Sequence, residues 1–388
     1  MNHRFALRFA AAGESMNLSG STLDSGRSRG DQMRRPGSAG RWLAVAALAV
    51  STACSDAAGP DSRVVAGVDL DVLFAPPTAS EVAAVEADWA SRAIDATDVQ
   101  VVRDTIVSVG DMDLRVRVVS HSVGGVEHYG AVLVDTTRTG PAPVMVYAHG
   151  GDQGADVDDV LFLLPFLGDL AAEFVWVIPS FRDEPLGFGS DTWQSEGPAS
   201  PWDRDVDDAL SLVDVALDIE PTADSTRIGV LGFSRGGGVG LLMAVRDPRI
   251  DLVIEFFGPT DFFGRYVQDV TEEALRGQPR TLPGLDFLDG EFIQPLSRGE
   301  VTVAQVRTEL VRRSAVLFAP RLPALQIHHG TADSVVDVSQ AESLIAAVEA
   351  LGRSDPAFEA WIYDGGTHNP LSLANSIPRT VAFLETLR

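Results

Sequence analysis

The residues Gly232-Phe233-Ser234-Arg235-Gly236 spell G-x-S-x-G at the end of an apolar run that begins at Ile228, and a stretch with helical spacing, Val239 to Arg246, follows. That context predicts a serine on a sharp strand-to-helix turn, with its Oγ pushed clear of the sheet. Gly232 and Gly236 then stand where a Cβ would collide with neighbouring backbone. Such a serine can attack a carbonyl carbon, but its hydroxyl is a weak nucleophile and needs an adjacent base oriented by a carboxylate. Two downstream loops offer these partners. Asp333 follows the short apolar run Pro323 to His328, and His368 sits in the glycine-rich loop after Phe358 to Tyr363. Of the seven histidines, only His368 falls in the order serine, acid, histidine: His3, His121, His128 and His149 precede Ser234, and His328 and His329 end the strand that leads to Asp333. The residue types alone leave other uses open. Asp333 also suits a turn or the cap of a helix starting near Val338, Asp337 is a competing carboxylate, and His368 also suits a surface loop.

A serine that attacks a carbonyl also needs donors for the oxyanion it creates. The first N–H groups of the helix after Ser234 point to that place, so the Arg235 N–H is one candidate. The second is the N–H of Gly150 or Gly151, in the His149-Gly150-Gly151-Asp152 loop that ends the apolar strand Val144 to Ala148; an ordinary turn would read the same. From Val144 onward strand-like and helix-like runs alternate, as a largely parallel sheet covered by helices requires. Upstream, Thr78 to Ala93 has helical spacing behind a capping threonine. Val99 to Ser108, Leu114 to Ser120 and Val126 to Asp135 read as strands. The expected class is α/β: the α/β-hydrolase fold, with a mostly parallel central sheet, helices on both faces and a small helical lid at residues 262–313. The expected division is a leader at 1–54, a flexible tether at 55–76 rich in Ala, Gly, Pro and Asp, and the α/β domain at 77–388. The long segment Arg182 to Asp203 and the aromatic start of the lid are expected to shape the pocket, with Arg182, Trp193 and Phe262 as candidate substrate contacts. Arg182 and Arg235 suit an acidic group of a substrate, or equally a nearby carboxylate such as Asp261.

The motifs as a set resemble the catalytic domain of the prolyl oligopeptidase family of serine hydrolases, over roughly residues 140 to 388. Asp224 to Val230 is similar to that family's approach to the elbow, Gly258 to Asp261 to its G-x-T-D, and His329-Gly330 through Asp333, Val336, Gln340 and Leu344 to its acid loop. Pro179 to Arg182 and Trp202 to Asp208 match more loosely. The chain departs from the pattern at Arg235, where the family usually has Tyr, and at Asp337, where it usually has Pro. Family peptidases carry a β-propeller; roughly ninety residues separate the leader from the matching region, against roughly 40 per blade. The resemblance implies a Ser234, Asp333, His368 triad and cleavage of an ester or peptide acyl bond. A carboxylesterase without peptidase activity, of the acetyl-esterase or dienelactone-hydrolase type, is the alternative. A non-catalytic binding protein on the same scaffold is the reading from a different class.

The chain of 388 residues has a net charge of −25, and every one of its basic side chains is arginine. So acidic a surface repels phosphate backbones, and no nucleic-acid partner is expected. No H-E-x-x-H or cysteine–histidine cluster implies a metal, and no organic cofactor is implied. The partner expected is a small acyl ester or a short peptide. Arg34, Arg35 and Arg41, then Trp42 to Val50, then Ser51-Thr52-Ala53-Cys54, resemble a bacterial lipoprotein signal, too short in its apolar part to span a bilayer. Met33 would open a signal of ordinary length. The sole cysteine, Cys54, is the expected lipidation site, which predicts export to the cell envelope and attachment to the membrane through that anchor alone.

Overall fold

The computed structural model describes residues 63–353 and 358–388. The expected leader, with Cys54, and the first part of the expected tether lie outside the described residues.

Nine strands form one sheet: β1 (Thr97–Val109), β2 (Met112–Val123), β3 (Val126–Asp135), β4 (Ala142–Ala148), β5 (Val175–Pro179), β6 (Ala223–Phe233), β7 (Ile250–Phe256), β8 (Ala324–Gly330) and β9 (Phe358–Tyr363). Their spatial order is β9-β8-β7-β6-β4-β5-β3-β2-β1. The pairs β1/β2, β2/β3 and β3/β5 are antiparallel, and the remaining pairs, from β5/β4 to β8/β9, are parallel. The parallel part is buried on both faces, and its strands are accordingly near-continuous apolar runs. Alternate residues feed two separate cores. Val144, Val146, Val230, Val253 and Ile327 belong to one, Met145, Tyr147, Leu231, Ile254 and Phe256 to the other.

Helices close both faces. α1 (Ala79–Ser91) starts behind Thr78, whose side chain accepts from Glu81 N–H while Glu81 answers the Thr78 N–H, a reciprocal cap. α2 (Val157–Leu163) and, near the C-terminus, α8 (Ser376–Leu384) cover the second core; α3 (Arg204–Ile219), α4 (Arg235–Arg246) and α7 (Ser339–Glu349) cover the first. The insert between β7 and β8 contains α5 (Arg265–Leu275) and α6 (Val303–Arg313), and Val306, Leu310 and Val311 join the first core.

The chain reverses direction across the sheet at β4, which lies between β5 and β6. In such sheets the crevice beyond the carboxyl ends of the strands at that reversal is the natural place for a ligand. Both the His149-Gly150-Gly151 loop and Ser234 leave the sheet there, since Gly232 is in register with Ala148.

One expectation changes. The tether ends earlier than residue 76: Val64–Val65 pairs with Val68–Asp69, and Leu70–Leu73 is a helical turn with Leu70 and Leu73 buried. Arg307 fixes this segment by donating to the Val72, Leu73 and Ala75 carbonyls (3.2, 2.8 and 2.8 Å). The flanking Gly, Pro and Asp residues disguised a segment whose few apolar side chains suffice to dock it. The insert over 262–313 packs on the body of the fold. Phe262, Phe263 and Tyr266 are buried in the first core, and the Tyr266 hydroxyl donates to the Val335 carbonyl in the acid loop.

Candidate active site

Ser234 occupies φ 53°, ψ −120° between β6 and α4. A non-glycine residue with positive φ costs on the order of 1–3 kcal/mol and persists only where its surroundings over-determine it. Here they do. The Ser234 N–H donates to the Phe256 carbonyl on β7 (2.8 Å), and its own carbonyl accepts from Gly237 N–H (2.8 Å). A Cβ on Gly236 would lie 2.0 Å from the Ala148 carbonyl oxygen, so only glycine lets α4 start this close to β4. A Cβ on Gly150 would lie 3.1 Å from Ser234 Cβ, which puts the β4 loop directly against the serine.

Asp333 and His368 meet from adjacent loops. His368 Nδ1 lies 2.7 Å from Asp333 Oδ2, and the Asp333 side chain is fully shielded from solvent. The other oxygen, Oδ1, accepts from the Val335 and Val336 N–H groups (2.9 and 3.0 Å). With the carboxylate accepting on Oδ2, the imidazole proton sits on Nδ1 and Nε2 is left as the acceptor. The two loops interlock through their backbones: Ala332 N–H donates to the Gly366 carbonyl (2.8 Å) and Thr331 N–H to the Tyr363 carbonyl (2.9 Å).

Phe257 links this pair to the serine. It directly follows Phe256, whose carbonyl holds Ser234, and its ring centroid is 4.2 Å from that of His368. Its φ of 45° is a second strained backbone position beside Ser234. Nothing in the local sequence marks Phe257, because its role depends on neighbouring strands ending at the same level. His329 was set aside on chain order; its Nε2 is 2.8 Å from the Val336 carbonyl and 3.6 Å from Asp333 Oδ2, so it backs the acid loop. Burial holds its pKa below the ordinary histidine value.

Of the two uses open to Arg182 and Arg235, both arginines take the nearby carboxylate. Arg182 is buried, with Nε and Nη2 on Asp208 (3.1 and 2.7 Å). Arg235 is buried, with Nε and Nη2 on Asp205 (2.8 and 2.9 Å) and Nη1 on Glu184. Asp261 partners neither; its Oδ2 accepts from Ser343 Oγ (2.6 Å). Phe262 is fully buried, edge-on to Trp202 with ring centroids 5.2 Å apart. Trp193 is half-buried on the outer strand, Asp191–Gln194, of a small three-stranded sheet and packs on the second core. Phe262 is thus packed within the fold, and Arg182 is held by Asp208. Sequence inspection missed Glu184 and Asp205, and the paired aspartates after Trp202 were the one available signal for the latter.

Glu255, also unmarked in the sequence, is fully buried beneath the elbow. Its Oε2 accepts from Gly258 N–H (2.7 Å), and burial pushes its pKa up to about 8. Among the described residues no group of three or more His, Cys, Asp or Glu side chains converges as a metal site, and no helix is long and apolar enough to cross a membrane.

Solved structures share this architecture. Acetyl xylan esterase 1 from Thermoanaerobacterium sp. JW/SL YS485 superposes with a TM-score of 0.57 at 17% identity, covering 82% of this chain and 99% of that one. The chain has the α/β-hydrolase fold. An acetyl xylan esterase from Paenibacillus sp. R4 gives 0.53 at 16% identity, covering 82% and 94%. A puromycin-hydrolyzing peptidase of Mycobacterium tuberculosis gives 0.49 at 18% identity, covering 74% of this chain but 39% of that one. No protein-family profile matches the chain, and no curated protein matches it in sequence.

Proposed function

We propose that this α/β-hydrolase-fold chain is a serine hydrolase that cleaves ester or peptide acyl bonds, with Ser234, His368 and Asp333 as its triad. The observation that carries the reading is the 2.7 Å contact between His368 Nδ1 and Asp333 Oδ2, joined through Phe256 and Phe257 to a serine in a strained elbow conformation. In this reading His368 Nε2 takes the Ser234 hydroxyl proton as Oγ attacks the carbonyl carbon. Asp333 holds the ring and stabilises the imidazolium. The oxyanion is met by the Arg235 N–H and an N–H of Gly150 or Gly151. Collapse expels the leaving group, which receives the proton from His368, and water then cleaves the acyl-enzyme by the same steps.

Short acyl esters are the first substrates to try, because the two acetyl xylan esterases match over nearly their whole length. The prolyl oligopeptidase-like motifs make proline-containing peptide anilides the second. The assay compares both substrates on the chain from Ser55 onward, with Ser234→Ala as blank. The triad predicts turnover that falls by a factor on the order of 10⁶ in the variant. Ester cleavage without anilide cleavage would identify a carboxylesterase; turnover that survives in Ser234→Ala would sink the reading. The Cys54 anchor is proposed separately, and Cys54→Ser should release the protein from membranes.

A further inference from the structure

An oxyanion hole shared between two segments works only if both donors hold their positions to within a few tenths of an ångström, since a misplacement of 1 Å can cost roughly 100-fold in rate. The segments here are the start of α4 and the loop after β4, which are 84 residues apart at Arg235 and Gly151. The side chain of Arg235 spans them. Its Nη1 donates to the Gly151 carbonyl at 3.3 Å and also to Glu184, while Nε and Nη2 form a fork on Asp205 at 2.8 and 2.9 Å. The guanidinium lies over the Phe181 ring, 5.0 Å from its centroid, and Phe181 in turn stacks on His149 at 4.3 Å. The arginine that follows the nucleophile is thus attached to the loop at one point, to α3 through Asp205, and to the segment after β5 through Glu184.

We propose that Arg235 is a positioning residue for the oxyanion hole: its guanidinium fixes the loop that offers Gly150 and Gly151 relative to the backbone N–H of Arg235 itself. This rests on the serine-hydrolase reading above. The geometry explains why an arginine is needed. Three anchors lie in different directions around one buried group, and only a planar fork with five N–H donors serves all of them; a lysine ammonium has three donors on one atom. Burial is also what makes the clamp stiff. Taken out of water, Asp205 and Glu184 both have their pKa raised, the effect being moderated by the arginine, so each strongly prefers the position in which it keeps that partner.

The test is steady-state kinetics on a short acyl ester for Arg235→Met, Arg235→Lys and Glu184→Gln, beside binding of phenylboronic acid. The boronate forms a tetrahedral adduct on a nucleophilic serine and places an oxygen in the oxyanion hole, so it reports that hole without turnover. Arg235→Met should lower kcat roughly 100-fold with KM changed less than about twofold, and boronate affinity should fall in parallel with kcat/KM. Arg235→Lys should recover part of the loss. Glu184→Gln keeps an acceptor and loses one charge; it should fall in kcat by less than Arg235→Met, and it serves if the arginine variants do not fold. A folded Arg235→Met with wild-type kcat, or with a raised KM and unchanged boronate affinity, overturns the clamp. In the same series Ser234→Ala separates the two ideas: turnover lost there but kept in Arg235→Met refutes the clamp alone, and turnover kept in Ser234→Ala refutes the reading beneath it.

Discussion

Ser234 and Arg235 stand at the end of β6, enclosed by β4 and β7 and backed by α4, whereas Asp333 and His368 stand on loops beyond β8 and β9, at the outer side of the sheet. The first pair is held by steric fit and buried charge. Gly236 abuts the Ala148 carbonyl, and Arg235 is wedged between Asp205 and Glu184. The second pair is held by backbone amides: two N–H groups on Asp333, and two more that the acid loop donates to the Tyr363 and Gly366 carbonyls. The difference teaches that one site can combine a half whose geometry is inseparable from folding with a half whose geometry is local. Mutations in the two halves should accordingly fail in different ways.

Asp333→Asn tests the local half most severely. The amide still accepts from Val335 and Val336, but it offers His368 Nδ1 the wrong hydrogen-bond partner. We expect kcat to fall by a factor on the order of 10⁴, with a melting temperature close to wild type. A large loss of stability would erase the contrast.

Asp205→Ala tests the other half. It leaves Arg235 buried with one carboxylate fewer, and unfolding free energy measured in urea should drop by about 3–5 kcal/mol. An equally stable variant would show that the ion pair contributes nothing to the elbow.

Glu255 sharpens the comparison through pH. Its pKa is raised from 4.5 to about 8 in the fold, so between those values the native state retains a proton that the unfolded chain has lost. Its contribution to stability is therefore present below pH 4.5 and declines as pH rises towards 8. Glu255→Gln keeps the acceptor for Gly258 N–H and removes the titration, so denaturation midpoints across this window should slope less steeply in the variant. Identical slopes would contradict the assignment. The smallest effect expected is that of Tyr266→Phe, which removes one donor from the Val335 carbonyl and should cost about 1 kcal/mol, with little change in kcat.

The turn at Ser234 and the loops that bring Asp333 and His368 together were legible because each ends an apolar run at a loop with a recognisable composition. The strand over Val126 to Asp135 was legible to the residue, because a β-type apolar run bounded by turn residues is a local signal. That Arg182 and Arg235 could each pair with a carboxylate was legible, but which carboxylate was not. Their partners Asp208 and Asp205 lie 26 and 30 positions away, and a chain with 55 acidic residues offers too many candidates for composition to choose among. Phe262 misled for a related reason: an aromatic residue in an insert reads as pocket lining until the insert is seen to pack on α4 and Trp202. Phe257 and Glu255 gave no signal because their significance arises from register between strands, which no single segment encodes.

The insert between β7 and β8 is fastened far from its base as well as near it. Arg312 reaches Asp88 on α1 and Asp203 ahead of α3 (3.1 and 3.3 Å), Arg307 grips Glu81, and Tyr266 holds the acid loop. An insert pinned on three sides cannot swing without breaking these ion pairs and the Tyr266 hydrogen bond.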